Sequence, residues 1–442
     1  MNKSLILGAF VLLAAGGWAQ GSFSLVDAKL YALDNSLSVK NAENDNESAH
    51  QRYVEIRGMG LPQIDFNGSF NNFINLPVQV VDASFINPNA PAGSTVEFRA
   101  GTTYSAAGTL QASQLLFNGS YIIGLKAASY LTKFQETASN ITKEDVLFNV
   151  IQAYQLAAVA KQNIEFVDSM VILTEELIDK QENYLELGLM KQEDFDQLNF
   201  SLLSAKNSKL AAELQYKNAL SVLKYTMGYP MEESLEITDN PDQLMAQPTL
   251  STGSIQSNLT YSLLEKQVTL SELNIQNNRF KSLPTLTAFF QHTYNAYRNE
   301  FNFFADEKWY PQTVWGLQLN VPIFSGLSRR AVTAQSRITL MNDQNKLEQM
   351  EQTLKFQVDQ AQNNLEGARS QNELQKANVD LARSLYENAL AKEEIGNGNS
   401  IVVSQQYNQL IMAQAQYTGT LIELFQAQLA LDKIYNNILP NE

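Results

Sequence analysis

Side chains able to carry covalent or metal chemistry are scarce in this 442-residue chain, which has no Cys and only two His, His50 and His292. Their scarcity removes disulfides, thiol nucleophiles and most zinc sites together. His50 falls in a polar helical stretch and His292 in an alternating one. Neither has a nucleophile, a metal cluster or a Gly-rich phosphate loop spaced around it. The residues point away from an enzyme, with no catalytic group, metal or cofactor expected. Carboxylates dominate the remaining titratable groups, and the formal net charge is -15. Nucleic acid and anionic lipid both need a basic footprint, so neither is the main partner. An acidic periplasmic or pore-lining surface fits the balance better.

The elements that would position such groups come in duplicate. Residues 1–19 read as a secretory signal: Lys3, the apolar Leu5 to Ala15, then Gly17-Trp18-Ala19 as a small-x-small cleavage site. The rest holds no run of eighteen apolar residues, so a membrane would be entered as strands rather than as a helix. Two halves then follow the same order, 20–228 and 254–438, around a Pro-containing acidic connector at 229–253 read as surface. Each half opens with a helix, Leu25 to Arg57 and Ser254 to Arg279, and then meets a Leu-Pro at Pro62 or Pro284, where proline ends the helix. A strand pair follows, 62–117 and 284–324. Next come a long helix, 119–187 and 326–395, and a return helix, 189–228 and 399–437.

Gly119 and Gly326 lie 207 positions apart and Gly188 and Gly396 lie 208 apart, so the two long helices have nearly equal length. About 68 residues at 1.5 Å each make a rod of roughly 100 Å. The last helix carries a stripe stepping four and three, Val403, Tyr407, Leu410, Gln414, Tyr417, Leu421, Leu424, Gln428 and Leu431. That stripe demands a partner helix and a left-handed supercoil.

The strands alternate with period two. Ile64, Phe66, Phe70, Ile74 and Leu76 share one face, and Gln63, Asp65, Asn67, Ser69 and Asn71 the other, with Phe73 out of pattern. In the second half Leu286, Ala288, Phe290 and Tyr294 oppose Thr285, Thr287, Gln291, Thr293 and Asn295, with Phe289 out of pattern. The return strand is clear from Trp315 to Ile323 and weaker near Tyr104 to Gln114. Four strands of about ten residues, apolar on one face and polar on the other, have the pattern of a bilayer-spanning sheet. Four cannot close, and open edges are intolerable in lipid, so copies must pool strands. Two copies give eight strands and three give twelve, and the pattern does not choose. Trp309 and Tyr310 read equally as interfacial aromatics or as loop packing. A trimeric surface fibre or adhesin with no pore is the alternative from another class, and bilayer conductance separates the two.

Paired Leu-Pro sites, Val321-Pro322-Ile323-Phe324-Ser325-Gly326 ahead of Arg329-Arg330, and Leu187-Gly188-Leu189 ahead of Asp194 together resemble the TolC family of outer-membrane efflux proteins, over essentially the whole mature chain. The resemblance implies an α+β membrane protein: a homotrimer with a twelve-stranded transmembrane β-barrel in outer-membrane lipid, continuous with a long α-helical coiled-coil barrel in the periplasm. It implies a passive exit duct for efflux or type I secretion, docked to a periplasmic adaptor and an inner-membrane pump of the RND or ABC type. In such proteins the periplasmic end is a gate, with acidic residues six and nine positions after the second tip Gly. Here those positions hold Val402 and Gln405, while Asp194 matches a family gate residue in the first half; Gly398 replaces a common basic residue. The expected constriction is therefore partly apolar at Val402, with Asp194 and Glu393 supplying negative charge. Gly188, Leu189, Gly396 and Gly398 are the expected helical tips and adaptor-docking positions, and Pro62, Gly119, Pro284 and Gly326 the strand-helix junctions.

Overall fold

The computed structural model describes residues 21–246, 253–395 and 398–440. The expected signal segment 1–19, the tip residue Gly396 and part of the connector lie outside the described residues. In chain order the elements of the first half are β1 (Ser22–Phe23), α1 (Leu25–Asn35), α2 (Leu37–Gly58), β2 (Gln63–Asn72), β3 (Val78–Asp82), β4 (Thr95–Arg99), β5 (Tyr104–Asn118), α3 (Gly119–Glu186) and α4 (Gln192–Met227). There follow β6 (Glu236–Ile237), α5 (Pro241–Met245), α6 (Leu259–Phe280), β7 (Thr285–Arg298), β8 (Tyr310–Asn320), α7 (Ser328–Glu394) and α8 (Ser400–Ile434). The two longest helices, α3 with 68 residues and α7 with 67, are near equals.

The chain divides into two compact units. One, built from residues up to Asn46, Glu136–Glu265 and Lys346 onward, holds the main apolar core. Here α8 buries the heptad stripe read from the sequence: Val403, Tyr407, Leu410, Gln414, Tyr417, Leu421, Leu424 and Leu431 are all buried, with Gln428 half-buried. On α4, Leu198, Ser201, Ala205, Ala212, Ala219 and Leu223 are buried at comparable spacing. Small residues along such a seam let two helix backbones approach closely.

The first helix differs from the single span expected from Leu25 to Arg57. It breaks at Ser36, which is extended at φ -60, ψ 126, closing α1 through its N–H to the Ala32 carbonyl and opening α2 through its own carbonyl to the Lys40 N–H. Serine suits this position because it is a poor interior residue and a good cap. The bend brings Asn35 and Ser36 under Gly228, where an added Cβ would sit 3.1 Å from the Asn35 carbonyl oxygen. Gly228 also takes φ 72 and ends α4, with the Tyr229 N–H bonding back to the Lys224 carbonyl.

The connector is less superficial than its composition implied. Its β6 pairs in parallel with β1, and Leu235, Ile237 and Leu244 are buried. Tyr154 on α3 ties the two together: its hydroxyl donates to the Phe23 carbonyl at 2.8 Å and accepts from the Asp239 N–H at 3.1 Å. Burial pushes this phenol up to about 12, so it stays a donor across the physiological range.

The second unit, Glu47–Gln135 with Lys266–Asn345, holds the four long strands β2, β5, β7 and β8. They form one antiparallel four-stranded sheet ordered β2-β5-β7-β8, so the two halves join through β5 and β7. The first return strand, faint in the sequence, is the longest at 15 residues. Its sequence is weak because Ala106, Ala107, Gly108 and Ala112 blur the alternation that its neighbours enforce by pairing. β5 passes into α3 without a loop. Asn118 caps the helix by accepting from the Tyr121 N–H at 3.1 Å, and Gly119 leaves room for its neighbours, since an added Cβ would lie 2.7 Å from the end of the Leu283 side chain and 3.2 Å from the Phe280 carbonyl oxygen.

The second junction is looser. Gly326 and Leu327 both take positive φ, 58 and 65, and α7 starts at Ser328 rather than at 326. Among the described residues, no helix is long and apolar enough to cross a membrane.

Candidate functional site

At the end of α3 the chain turns through a left-handed Gly188, φ 70, with the Gly188 N–H bonded to the Leu185 carbonyl and the Leu189 N–H to the Tyr184 carbonyl. This pair of bonds satisfies the last carbonyls of the helix and requires a residue without Cβ at the turn. The second tip is built differently. Gly398 is demanded by close approach, since a Cβ there would fall 2.4 Å from the backbone N and Cα of Glu393. Asn399 then caps α8 by accepting from the Ile401 N–H at 2.8 Å. Leu187, Leu189, Ile395 and Ile401 stand exposed at these turns.

The expected gate residues occupy distinct environments. Asp194 sits half-buried in the first turn of α4, where a negative charge is favoured by the helix dipole. Val402 and Gln405 are exposed on α8, on the side away from the buried Val403 and Tyr407. Contacts between α4 and α8 hold the two helices together near their starts: Ser404 Oγ lies 2.9 Å from Ser201 Oγ and accepts from Gln197 Nε2 at 2.9 Å. Val402 and Gln405 lie within one turn of Ser404, and Asp194 lies about one turn before Gln197 and about two before Ser201.

Glu393 does not fit the role of a free pore-lining carboxylate. It is buried, and its Oε1 accepts from the Ser400 hydroxyl at 2.6 Å, so its charge is spent on holding α7 against the start of α8. The neighbouring Glu394 pairs with Lys180 at 2.6 Å and Gln181 Nε2 reaches the Glu393 carbonyl, fastening the α7 end to α3.

Several polar groups in this unit were not singled out from sequence. Ser201, Ser404 and Gln197 form the buried contact just described. Tyr407, a member of the stripe read from the sequence, packs edge-on against Tyr386, with ring centroids 6.0 Å apart, and among the described residues its hydroxyl has no hydrogen-bond partner. Burial pushes that phenol up to about 12. Farther along α3, Glu144 is 4% exposed and its Oε1 has no hydrogen-bond partner among the described residues. Burial pushes its carboxyl up to about 7; Lys433 opposes the rise and Asp145 adds to it. The available signal was weak: Ser201 and Ser404 sit in seam positions, but a serine in a heptad stripe has no fixed meaning.

The sheet has one apolar and one polar face, assigned by the pairing register. Phe66, Leu110, His292 and Thr313 form one row of the apolar face, and Ala112, Phe290 and Trp315 belong to another. This face is exposed: Ile64 at 70%, Phe66 at 71% and Trp315 at 78%. On the opposite face lie Asn67, Thr109, Thr293 and Gln312, with a Thr109–Thr293 hydroxyl contact at 3.0 Å. Phe289, out of pattern in the sequence, lies on this polar face directly across from Gly316, where an added Cβ would come within 3.0 Å of its ring. The ring covers the strand's missing side chain. His292 is likewise absorbed locally, its Nδ1 2.7 Å from Thr313 Oγ1. Trp309 and Tyr310 join the loop above the sheet, Trp309 against Phe303 and Tyr310 under Lys308. Among the described residues, β2 and β8 are both unpaired on their outer edges.

An exposed apolar face backed by a polar face, on strands of 10 to 15 residues with two free edges, is what a shared membrane-spanning barrel requires. Residues 255–437 match the family model described as outer membrane efflux protein. No curated protein matches by sequence. Among solved structures the chain is similar to CusC, at 16% identity with a TM-score of 0.72, covering 97% of this chain and 95% of that one. It is also similar to the MtrE outer membrane channel of Neisseria gonorrhoeae in its open state, at 15% identity and a TM-score of 0.71, covering 93% and 88%. The CmeC outer membrane channel of Campylobacter jejuni gives 15%, 0.70, 93% and 85%. Over the described residues the chain therefore has the fold of TolC-type outer-membrane efflux channels, including those of the first half that the family model does not reach.

Proposed function

We propose that the protein is the outer-membrane exit duct of a tripartite efflux or type I secretion system, a passive conduit that performs no reaction of its own. The observation that carries this reading is the four-stranded sheet, whose exposed apolar face and two unpaired edges make no sense in water. Three copies supply twelve strands, β2 of one meeting β8 of the next, and the polar face lines a wet lumen. The apolar face meets outer-membrane lipid, and the helices extend into the periplasm.

The helical tips are the periplasmic mouth. Exposed Leu187, Leu189, Ile395 and Ile401 there offer an apolar docking surface for a periplasmic adaptor, which links the duct to an energised inner-membrane pump. The constriction is formed by Val402 and Gln405 with Asp194, and Glu393 serves the fold of the tip rather than the lumen. Reconstitution into planar bilayers tests the reading. Discrete long-lived conductance steps support it, and a protein that inserts without conducting, as a surface fibre would behave, refutes it.

A further inference from the structure

The loop between β2 and β5 carries a structure that the duct reading leaves unexplained. Beyond the last rung of the sheet, the Phe73 N–H bonds the Thr103 carbonyl at 2.8 Å and the Ala100 N–H bonds the Pro77 carbonyl at 3.0 Å. β3 and β4 then continue the pair as an isolated two-stranded ribbon, in register from Val78↔Arg99 to Asp82↔Thr95. No third strand joins it among the described residues.

An isolated two-stranded ribbon is marginal in water unless one of its faces is covered. This one has apolar residues on both. Val78 and Val80 share one face with Glu97 and Arg99, and Val81, Val96 and Phe98 share the other. Val78 and Val80 are more than half exposed and Phe98 is 44% exposed. A two-fold dimer would need a single self-complementary face. A ring of copies instead needs two different faces, each meeting its opposite on the next copy, and that is the arrangement the ribbon offers. The ribbon also prolongs β2, an outer strand of the sheet, which in the duct reading is the strand that meets the neighbouring copy.

We infer that the ribbon is an inter-subunit contact: the Val78/Val80 face of one copy packs on the Val81/Val96/Phe98 face of the next, forming a collar above the sheet. The inference rests on the trimeric duct reading. It commits to a second copy of this chain as the occupant, not to lipid or another protein.

Because the chain has no Cys, disulfide trapping starts from a silent background. Val80→Cys and Phe98→Cys lie on opposite faces of one ribbon and cannot join within a copy, so any bond formed between them links copies. The full-length double variant, oxidised in isolated membranes, is expected to run as covalent dimers and trimers on non-reducing gels, and each single variant as monomer. A second set of variants, Asn67→Cys on β2 with Gln312→Cys, Val314→Cys or Gln318→Cys on β8, reports barrel closure separately. Bonding across the sheet edges but not across the ribbon overturns the collar and leaves the duct standing. Bonding in neither set overturns both. Dimers from Val80→Cys alone overturn the face-to-opposite-face packing. A fluorophore on Phe98→Cys that responds to added lipid while the ribbon fails to cross-link assigns that face to the membrane and likewise overturns the collar.

Discussion

Replacing Glu144 with Gln should change how the stability of this protein depends on pH. Glu144 is buried on α3 with an unpartnered oxygen, and its carboxyl stands at about 7 against an ordinary 4.5. A group whose folded value is raised is bound more tightly by its proton in the folded state. Below pH 4.5 it is neutral folded and unfolded, and it costs nothing. Between 4.5 and 7 the unfolded chain ionises first, so stability falls as pH rises, and above 7 the full penalty applies. The gap corresponds to about 3 kcal/mol per protomer as an upper value, because one decade of proton affinity is about 1.4 kcal/mol. Gln keeps the shape and cannot ionise. Thermal unfolding of detergent-extracted protein, at one fixed scan rate from pH 4 to 8, should give coincident midpoints for Glu144→Gln and wild type at pH 4 and a higher midpoint for the variant at pH 8. Parallel curves over the whole range would refute the argument, since burial of an ionised carboxylate could then not be what Glu144 contributes.

Three further outcomes follow from single sites. Gly188→Ala has free space for its methyl but must hold a left-handed backbone, at a cost of about 1–2 kcal/mol; amide exchange around 184–194 should accelerate while the four-stranded sheet stays protected. Tyr154→Phe strands the Asp239 N–H and leaves the Phe23 carbonyl to the Thr238 N–H, and should cost about 1–3 kcal/mol in thermal unfolding, with faster proteolysis near residue 239. Asp194→Ala should reduce cation preference, read as a smaller reversal potential across a salt gradient. Val402→Asp should raise it by restoring a carboxylate to the exposed side of α8.

The fold was legible wherever a period was enforced by burial. The α8 stripe was readable because one helix face is packed along its whole length, and the two long helices because glycines bound them in both halves. The break at Ser36 was hidden because a single serine is as compatible with a helix interior as with a cap, and only the close pass of Gly228 decides between them. β5 was faint because Ala and Gly stand where its neighbours carry Phe and Tyr. Phe289 broke the alternation for a reason carried by another strand, the bare backbone at Gly316. At the candidate gate, the sequence proposes Asp194, Val402 and Gln405 but does not show that the Ser400 hydroxyl occupies the carboxylate of Glu393. That contact depends on the backbone path at Gly398, which a one-dimensional spacing does not contain.

Four strands per chain become a closed twelve-stranded barrel only when three chains pool them. Native mass spectrometry of the detergent-extracted protein counts them directly. The account requires a species of three chains that persists until the detergent is stripped. A stable monomer or a two-chain species carrying the full β-sheet signal would contradict it.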